Sequence, residues 1–257
     1  MLGTQFTKGS PCWIDLGSPD TDAAAAFYGA VLGWEFRSAG PETGGYGFFQ
    51  QDGRTVAALG PLTEEGAHSA WTVYFRTPDA DATQKAAEAA GGAVRAAAFD
   101  VMEAGRMAAL TDPGGAEFAV WQAGTTQGLE RTSSTNTLVW VELHVTDPEA
   151  VLGFYGSLFG WRWAEMDAPG MTYRVVSTAE GDQQDTSFGG AAELQSDTPR
   201  WIPYFAVVDV DAMAATAQGN GGSVVMPAVD IPGVGRIAWL ADPFGAPFAV
   251  LKPAPAA

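Results

Sequence analysis

The chain is poor in the residues that most often announce chemistry. It has one cysteine, Cys12, and two histidines, His68 and His144, among 257 residues. A single thiol excludes an intrachain disulfide and any multi-cysteine metal or redox motif, and two imidazoles exclude a histidine-rich metal centre. Cations are scarce too, with 13 Lys and Arg against 30 Asp and Glu and a formal charge of -17. Such a surface repels a polyphosphate backbone, so neither nucleic acid nor an anionic membrane is an expected partner. The acids are scattered, which reads as solubility. No apolar run approaches the roughly 18 residues that span a bilayer, and the polar start lacks the apolar core of a secretion signal. A cytoplasmic protein is expected. HExxH, a Walker loop, GxGxxG after a strand and GxSxG are all absent.

What the chain does have is apolar material and repetition. With 47% hydrophobic residues, nine Trp and fourteen Phe, it can fill one or more cores. Aligning Trp13 with Trp140, an offset of 127 residues (140 - 13), also pairs Phe27-Tyr28-Gly29 with Phe154-Tyr155-Gly156 and Gly33-Trp34 with Gly160-Trp161. Further on the offset is 130 (201 - 71), and it matches Trp71 with Trp201, Tyr74-Phe75 with Tyr204-Phe205 and Asp112-Pro113 with Asp242-Pro243. The three extra residues belong between 164 and 200. This is a duplication. It predicts one domain over 1–124, a small and polar linker over 125–137, and a second domain over 138–257.

Each half also contains a weaker copy of itself. Asp20, Asp79, Asp147 and Asp209 each follow a short apolar strand, with an acid two residues on, Ala three on and Gly thirteen on. The pattern predicts a strand, an Asp cap, a helix of about three turns and a glycine in the left-handed stop position. Ala24, Phe27, Val31 and Leu32 fall near one helix face, as do Val151, Phe154 and Leu158. The stretch from Gly105 to Trp121 reads as a hairpin around Asp-Pro-Gly-Gly, repeated around Asp242. Each quarter is therefore β-α-β-β-β.

Four such quarters, with PheTyrGly and GlyTrp at the helix end and an AspPro hairpin at the close, resemble the vicinal-oxygen-chelate superfamily of glyoxalases, bleomycin-resistance proteins and extradiol dioxygenases. The chain is most similar to tandem actinobacterial members of it. The resemblance implies an α+β fold of four βαβββ units, paired into two glyoxalase-like domains whose curved mixed sheets form substrate cups. It also implies metal ligands at Trp13, Thr72 and Ala119, and at Trp140, Ile202 and Ala249. Indole, hydroxyl, methyl and alkyl groups are not the imidazole, carboxylate or thiolate donors that iron or zinc requires, so no metal or other cofactor is expected.

Strand alternation nominates the residues of the open face. Ile14 and Leu16 suit the helix-covered side, which leaves Trp13, Asp15 and Gly17 opposite; the copy leaves Trp140, Glu142 and His144. By the same rule Tyr74, Arg76, Trp121 and Tyr204 are ligand-face candidates. A carboxylate in mid-strand is costly unless it is solvated or hydrogen-bonded, so Asp15 and Glu142 stand either in a pocket or in structural pairs. His144 shares a face with Glu142 and is the candidate base or hydrogen-bond partner. Arg106 and Arg236 suit structural pairs, His68 solvent, and Cys12 an inert core position.

Two functions follow. One is a protein that binds a hydrophobic or aromatic small metabolite, an antibiotic or a biosynthetic intermediate, in a cup and without metal, with self-association to a homodimer left open. The alternative is an enzyme of secondary metabolism. It would be a metal-independent isomerase, lyase or cyclase with Glu142 and His144 as its catalytic pair, or a metal-dependent lyase or dioxygenase with a ligand set displaced to Asp15 or Glu142.

Overall fold

The computed structural model describes residues 2–64, 66–168, 171–194 and 198–254. The first quarter holds β1 (Pro11–Ser18), α1 (Thr21–Leu32), β2 (Glu35–Ser38), β3 (Gly47–Gln51) and β4 (Arg54–Pro61). The second holds β5 (Ala70–Arg76), α2 (Ala80–Ala89), β6 (Ala93–Val101), β7 (Gly105–Thr111) and β8 (Glu117–Ala123). The third holds β9 (Leu138–Val145), α3 (Pro148–Phe159), β10 (Arg162–Ala168), β11 (Met171–Ser177) and β12 (Ser187–Glu193). The fourth holds β13 (Arg200–Ala206), α4 (Val210–Gly219), β14 (Ser223–Ile231), β15 (Gly235–Ala241) and β16 (Pro247–Pro253). The four βαβββ units form two mixed eight-stranded sheets, ordered β2-β3-β4-β1-β5-β8-β7-β6 and β10-β11-β12-β9-β13-β16-β15-β14.

The helices begin for the reason legible in sequence. Asp20, Asp79, Asp147 and Asp209 are the N-caps, and each side chain accepts the backbone N–H three residues on. Their ends differ by pairs. Gly33 and Gly160 close α1 and α3 in the left-handed conformation, at φ of 70° and 75°. After α2 and α4 the left-handed residue is instead Gly91 or Gly221, one position earlier than the repeat suggests. Gly92 and Gly222 follow, just before the next strand, each with its N–H on a helix carbonyl. Two adjacent glycines let the turn and the close approach fall on different residues.

By density of contact the chain groups into two units. The first comprises Met1–Trp13, Thr72–Gly128 and Trp140–Ile202; the second comprises Ile14–Trp71, Leu129–Val139 and Pro203–Ala257. Each is centred on a buried tyrosine. In the first unit Tyr155 stacks on Trp161 at 4.6 Å and 17°, with Phe75, Phe118 and Trp201 meeting it edge-on. Its hydroxyl accepts from Trp201 Nε1 at 2.9 Å and donates to Asp112 Oδ2 at 3.0 Å. In the second unit Tyr28 stacks on Trp34 and accepts from Trp71 Nε1 at 3.1 Å. Burying such rings contributes roughly 2 to 3 kcal/mol each. Asp112 and Asp242 begin the hairpin turns, where each Oδ1 accepts two backbone N–H groups. Burial pushes both carboxyls above the ordinary aspartate range, against the pull of those bonds.

Candidate functional site

The face of β9 that carries Trp140, Glu142 and His144 is a hydrogen-bonded chain. Val141 and Leu143, on the alternate positions, are fully buried. Side chains two apart on a strand lie side by side, and here His144 Nε2 lies 2.6 Å from Glu142 Oε1, a bond in which the ring nitrogen is the donor when the acid is a carboxylate. Tyr173, on β11, donates its O–H to Glu142 Oε2 at 2.7 Å and accepts from Trp140 Nε1 at 2.9 Å. Glu142 is 7% exposed and His144 2%, while Trp140 is half-buried. A buried carboxylate is tolerable on these terms because both oxygens have donors. Burial, and then the charge of Glu142, push the Tyr173 phenol well above its usual pKa, so it remains a donor through the neutral range.

Reaching Glu142 from β11 requires crossing β12. In the parallel β12–β9 pairing Gly190 stands opposite Glu142. A Cβ at position 190 would collide with the Tyr173 hydroxyl. The missing side chain is thus the passage the tyrosine uses.

The first repeat holds a reduced version. On β1, Asp15 Oδ2 accepts from the Tyr46 hydroxyl at 3.3 Å, and the Tyr46 ring lies 2.8 Å from where a Cβ on Gly60 would be. Gly17 occupies the position of His144, with Leu62 Cδ2 3.1 Å from where its Cβ would be.

The remaining sequence candidates have other engagements. Trp13 and Tyr74 are buried, at 8% and 7% exposure. Arg76 donates to the carbonyl and side-chain oxygens of Gln127, and Trp121 Nε1 donates to the Thr126 carbonyl, so both hold the segment after β8. The Tyr204 hydroxyl accepts from Trp239 Nε1 at 2.8 Å. Arg106 binds Asp81 and Asp100, and Arg236 binds Asp211 and Asp230, as structural pairs. Cys12 is fully buried, its Sγ 3.5 Å from the Tyr74 carbonyl, and burial raises its thiol to about 12 despite the nearby Arg76 charge. His68 is exposed. Sequence reasoning missed Tyr173 and Tyr46. The signal was present, since the two tyrosines stand at the same 127-residue offset as the tryptophans.

The fold implies a metal, and the donors do not fit one. The six matching positions carry Trp13, Thr72, Ala119, Trp140, Ile202 and Ala249; Ala119 pairs with Tyr74 and Ala249 with Tyr204 in the parallel ladders, so methyl groups stand there. Among the described residues no three His, Cys, Asp or Glu side chains gather as a metal would need. Among the same residues no helix is long and apolar enough to cross a membrane.

Comparison with known proteins agrees with this architecture. The chain is 39% identical over 261 residues to a Mycobacterium tuberculosis protein, CFP32, whose name carries a provisional glyoxylase label; the match covers 98% of each. It is 40% identical to the anthracycline biosynthesis protein DauV of a Streptomyces species, over 97% of this chain and 95% of that one. Among solved structures, the 2,3-dioxygenase LapB of a Pseudomonas species matches with a TM-score of 0.66 at 14% identity, over 96% and 95% of the two chains. The Mn(II)-bound glyoxalase of Novosphingobium aromaticivorans matches with a TM-score of 0.64 at 16% identity, over 95% and 82%. At such identities the structures speak for fold alone. Residues 12–120 and 137–250 each match the family profile, and the chain belongs to the glyoxalase/bleomycin resistance protein/dioxygenase superfamily.

Proposed function

We propose that the protein binds a hydrophobic or aromatic small metabolite, an antibiotic or biosynthetic intermediate, through the face of β9, and does so without the family's metal ion. The observation that carries this reading is the chain from Trp140 through Tyr173 and Glu142 to His144. A half-buried indole offers apolar contact, and the acid and imidazole beside it offer a polar edge to orient a ring. Relatives named for anthracycline biosynthesis support a place in small-molecule secondary metabolism. Trp13, Asp15, Tyr74, Arg76, Trp121 and Tyr204 remain secondary ligand candidates, and the two repeats remain the proposed domains. A cytoplasmic setting belongs to the same reading and rests on composition.

A second reading is favoured by one distance. At 2.6 Å the Glu142–His144 pair has the geometry of an oriented acid–base couple, which suits a proton-transfer isomerase, lyase or cyclase. The metal-dependent alternative has less support, because its ligand positions lack donors.

Titration with planar aromatic hydroxy compounds, 1-naphthol and alizarin, followed by tryptophan fluorescence and by chromatography of the mixture, tests both. Quenching with the compound recovered unchanged supports binding. Consumption that stops in His144→Ala supports the enzyme. No quenching by either probe overturns the ligand reading.

A further inference from the structure

We infer that Tyr173 is the positioning residue of this site, holding Glu142 in place by crossing β12 at Gly190. The inference rests on the reading of Glu142 and His144 as the polar end of a ligand site, and adds a residue and a device to it. Three observations converge. Tyr173 is bonded on both sides of its hydroxyl, accepting a hydrogen bond from Trp140 Nε1 and donating one to Glu142 Oε2, so its oxygen has a single orientation. Glycine at 190 stands directly opposite Glu142 in register and is the position where a methyl group would obstruct that hydroxyl. The first repeat holds a looser variant, in which Tyr46 reaches Asp15 with its ring over Gly60, although Gly60 pairs with Gly17 and Ala58 stands opposite Asp15.

The consequence is geometric. A glutamate has three side-chain torsions, and a bond from His144 restrains one oxygen only. The second bond, from a ring anchored in another strand, turns the carboxylate plane into a defined surface against which His144 and a ligand are aligned.

The test uses the full chain labelled with nitrogen-15 in histidine and tryptophan, and follows the His144 Nε2–H resonance by NMR. Tyr173→Phe, which removes one oxygen atom, should speed exchange of that proton with water at least tenfold and shift its resonance. Gly190→Ala retains every functional group and should do the same. Because both break one contact, the double variant should be no worse than either alone. Tyr46→Phe, which removes the counterpart hydroxyl, should leave the signal unchanged. A His144 resonance unaltered by Tyr173→Phe, or additive losses in the double variant, would overturn the inference. If Tyr173→Phe fails to fold, Gly190→Ala decides alone. In parallel, Tyr173→Phe should weaken 1-naphthol binding at least tenfold. Should the unaltered protein ignore 1-naphthol and alizarin, the ligand reading fails, while the NMR comparison still decides the role of Tyr173.

Discussion

Glu142 and Asp15 occupy equivalent positions in the two repeats; Glu142 is the centre of a chain running from Trp140 to His144, and Asp15 accepts a longer bond from Tyr46. Glu142 has donors at 2.6 and 2.7 Å and is nearly sealed, whereas Asp15 is half-buried and meets Tyr46 at 3.3 Å. Two changes account for the difference. The aspartate is one methylene shorter, so the same tyrosine reaches it less closely. Glycine replaces histidine at position 17, and Leu62 lies over the space. A duplicated fold can thus keep its frame in both copies while concentrating polar chemistry in one.

The largest way to break this comparison is to remove the acids. Glu142→Ala strands the buried donors of Tyr173 and His144 and should cost about 3 kcal/mol of stability, against about 1 kcal/mol or less for Asp15→Ala. Urea denaturation reads both, and equal losses would erase the asymmetry. Next come the core tyrosines. Tyr155→Phe leaves Trp201 Nε1 and Asp112 Oδ2 without partners and should cost about 2 to 3 kcal/mol. Tyr28→Phe should cost about 1 to 2 kcal/mol, since it leaves Trp71 Nε1 without its acceptor and removes only a weaker interaction with Asp242.

A third test concerns ligand contact. Trp140→Ala should weaken the binding of an aromatic probe by about 1 to 3 kcal/mol, as for a packed aromatic anchor. Trp13→Ala, its counterpart, should matter less if the second repeat holds the site; isothermal titration compares them.

The pH dependence carries a smaller signature. Asp112 and Asp242 have pKa values raised by burial, so the folded state holds their protons more tightly than the unfolded chain. The stability from that protonation is fully present below about pH 4, the unfolded value, and is lost as pH rises through the raised folded values. Asp112→Asn keeps the acceptor for Gly114 and Ala116 and should remove part of that slope from a series of melts. A change confined to some other pH range would assign the slope elsewhere.

The smallest effect belongs to the arginine clamps. Arg106→Ala and Arg236→Ala break exposed ion pairs, and their melting shifts should be slight, similar in the two repeats and suppressed by salt.

Much of the frame is legible in the sequence. The aspartate caps were readable because the Asp side chain and the N–H it captures lie three residues apart. The hairpins and the strand faces were readable because turns and alternation are also short-range. The glycine stops were half readable: periodicity marked Gly92 and Gly222, but which member of a glycine pair takes positive φ is decided by the strand that follows. In the site, alternation put Trp140, Glu142 and His144 on one face. It could not show that Arg76 and Trp121 turn to the backbone at Gln127 and Thr126, because such bonds depend on where a loop returns.

The amino-acid sequence by itself determined the four-unit plan, its caps, its turns and the matching acids of the two repeats, since each rests on interactions spanning a few residues or on copies that can be compared directly. Tertiary structure alone decided which tyrosine meets which acid. Tyr155 finds Asp112, 43 residues away, and Tyr173 finds Glu142, 31 away and across an intervening strand. Such meetings depend on strand order and on a glycine at the crossing, and local periodicity carries no record of them.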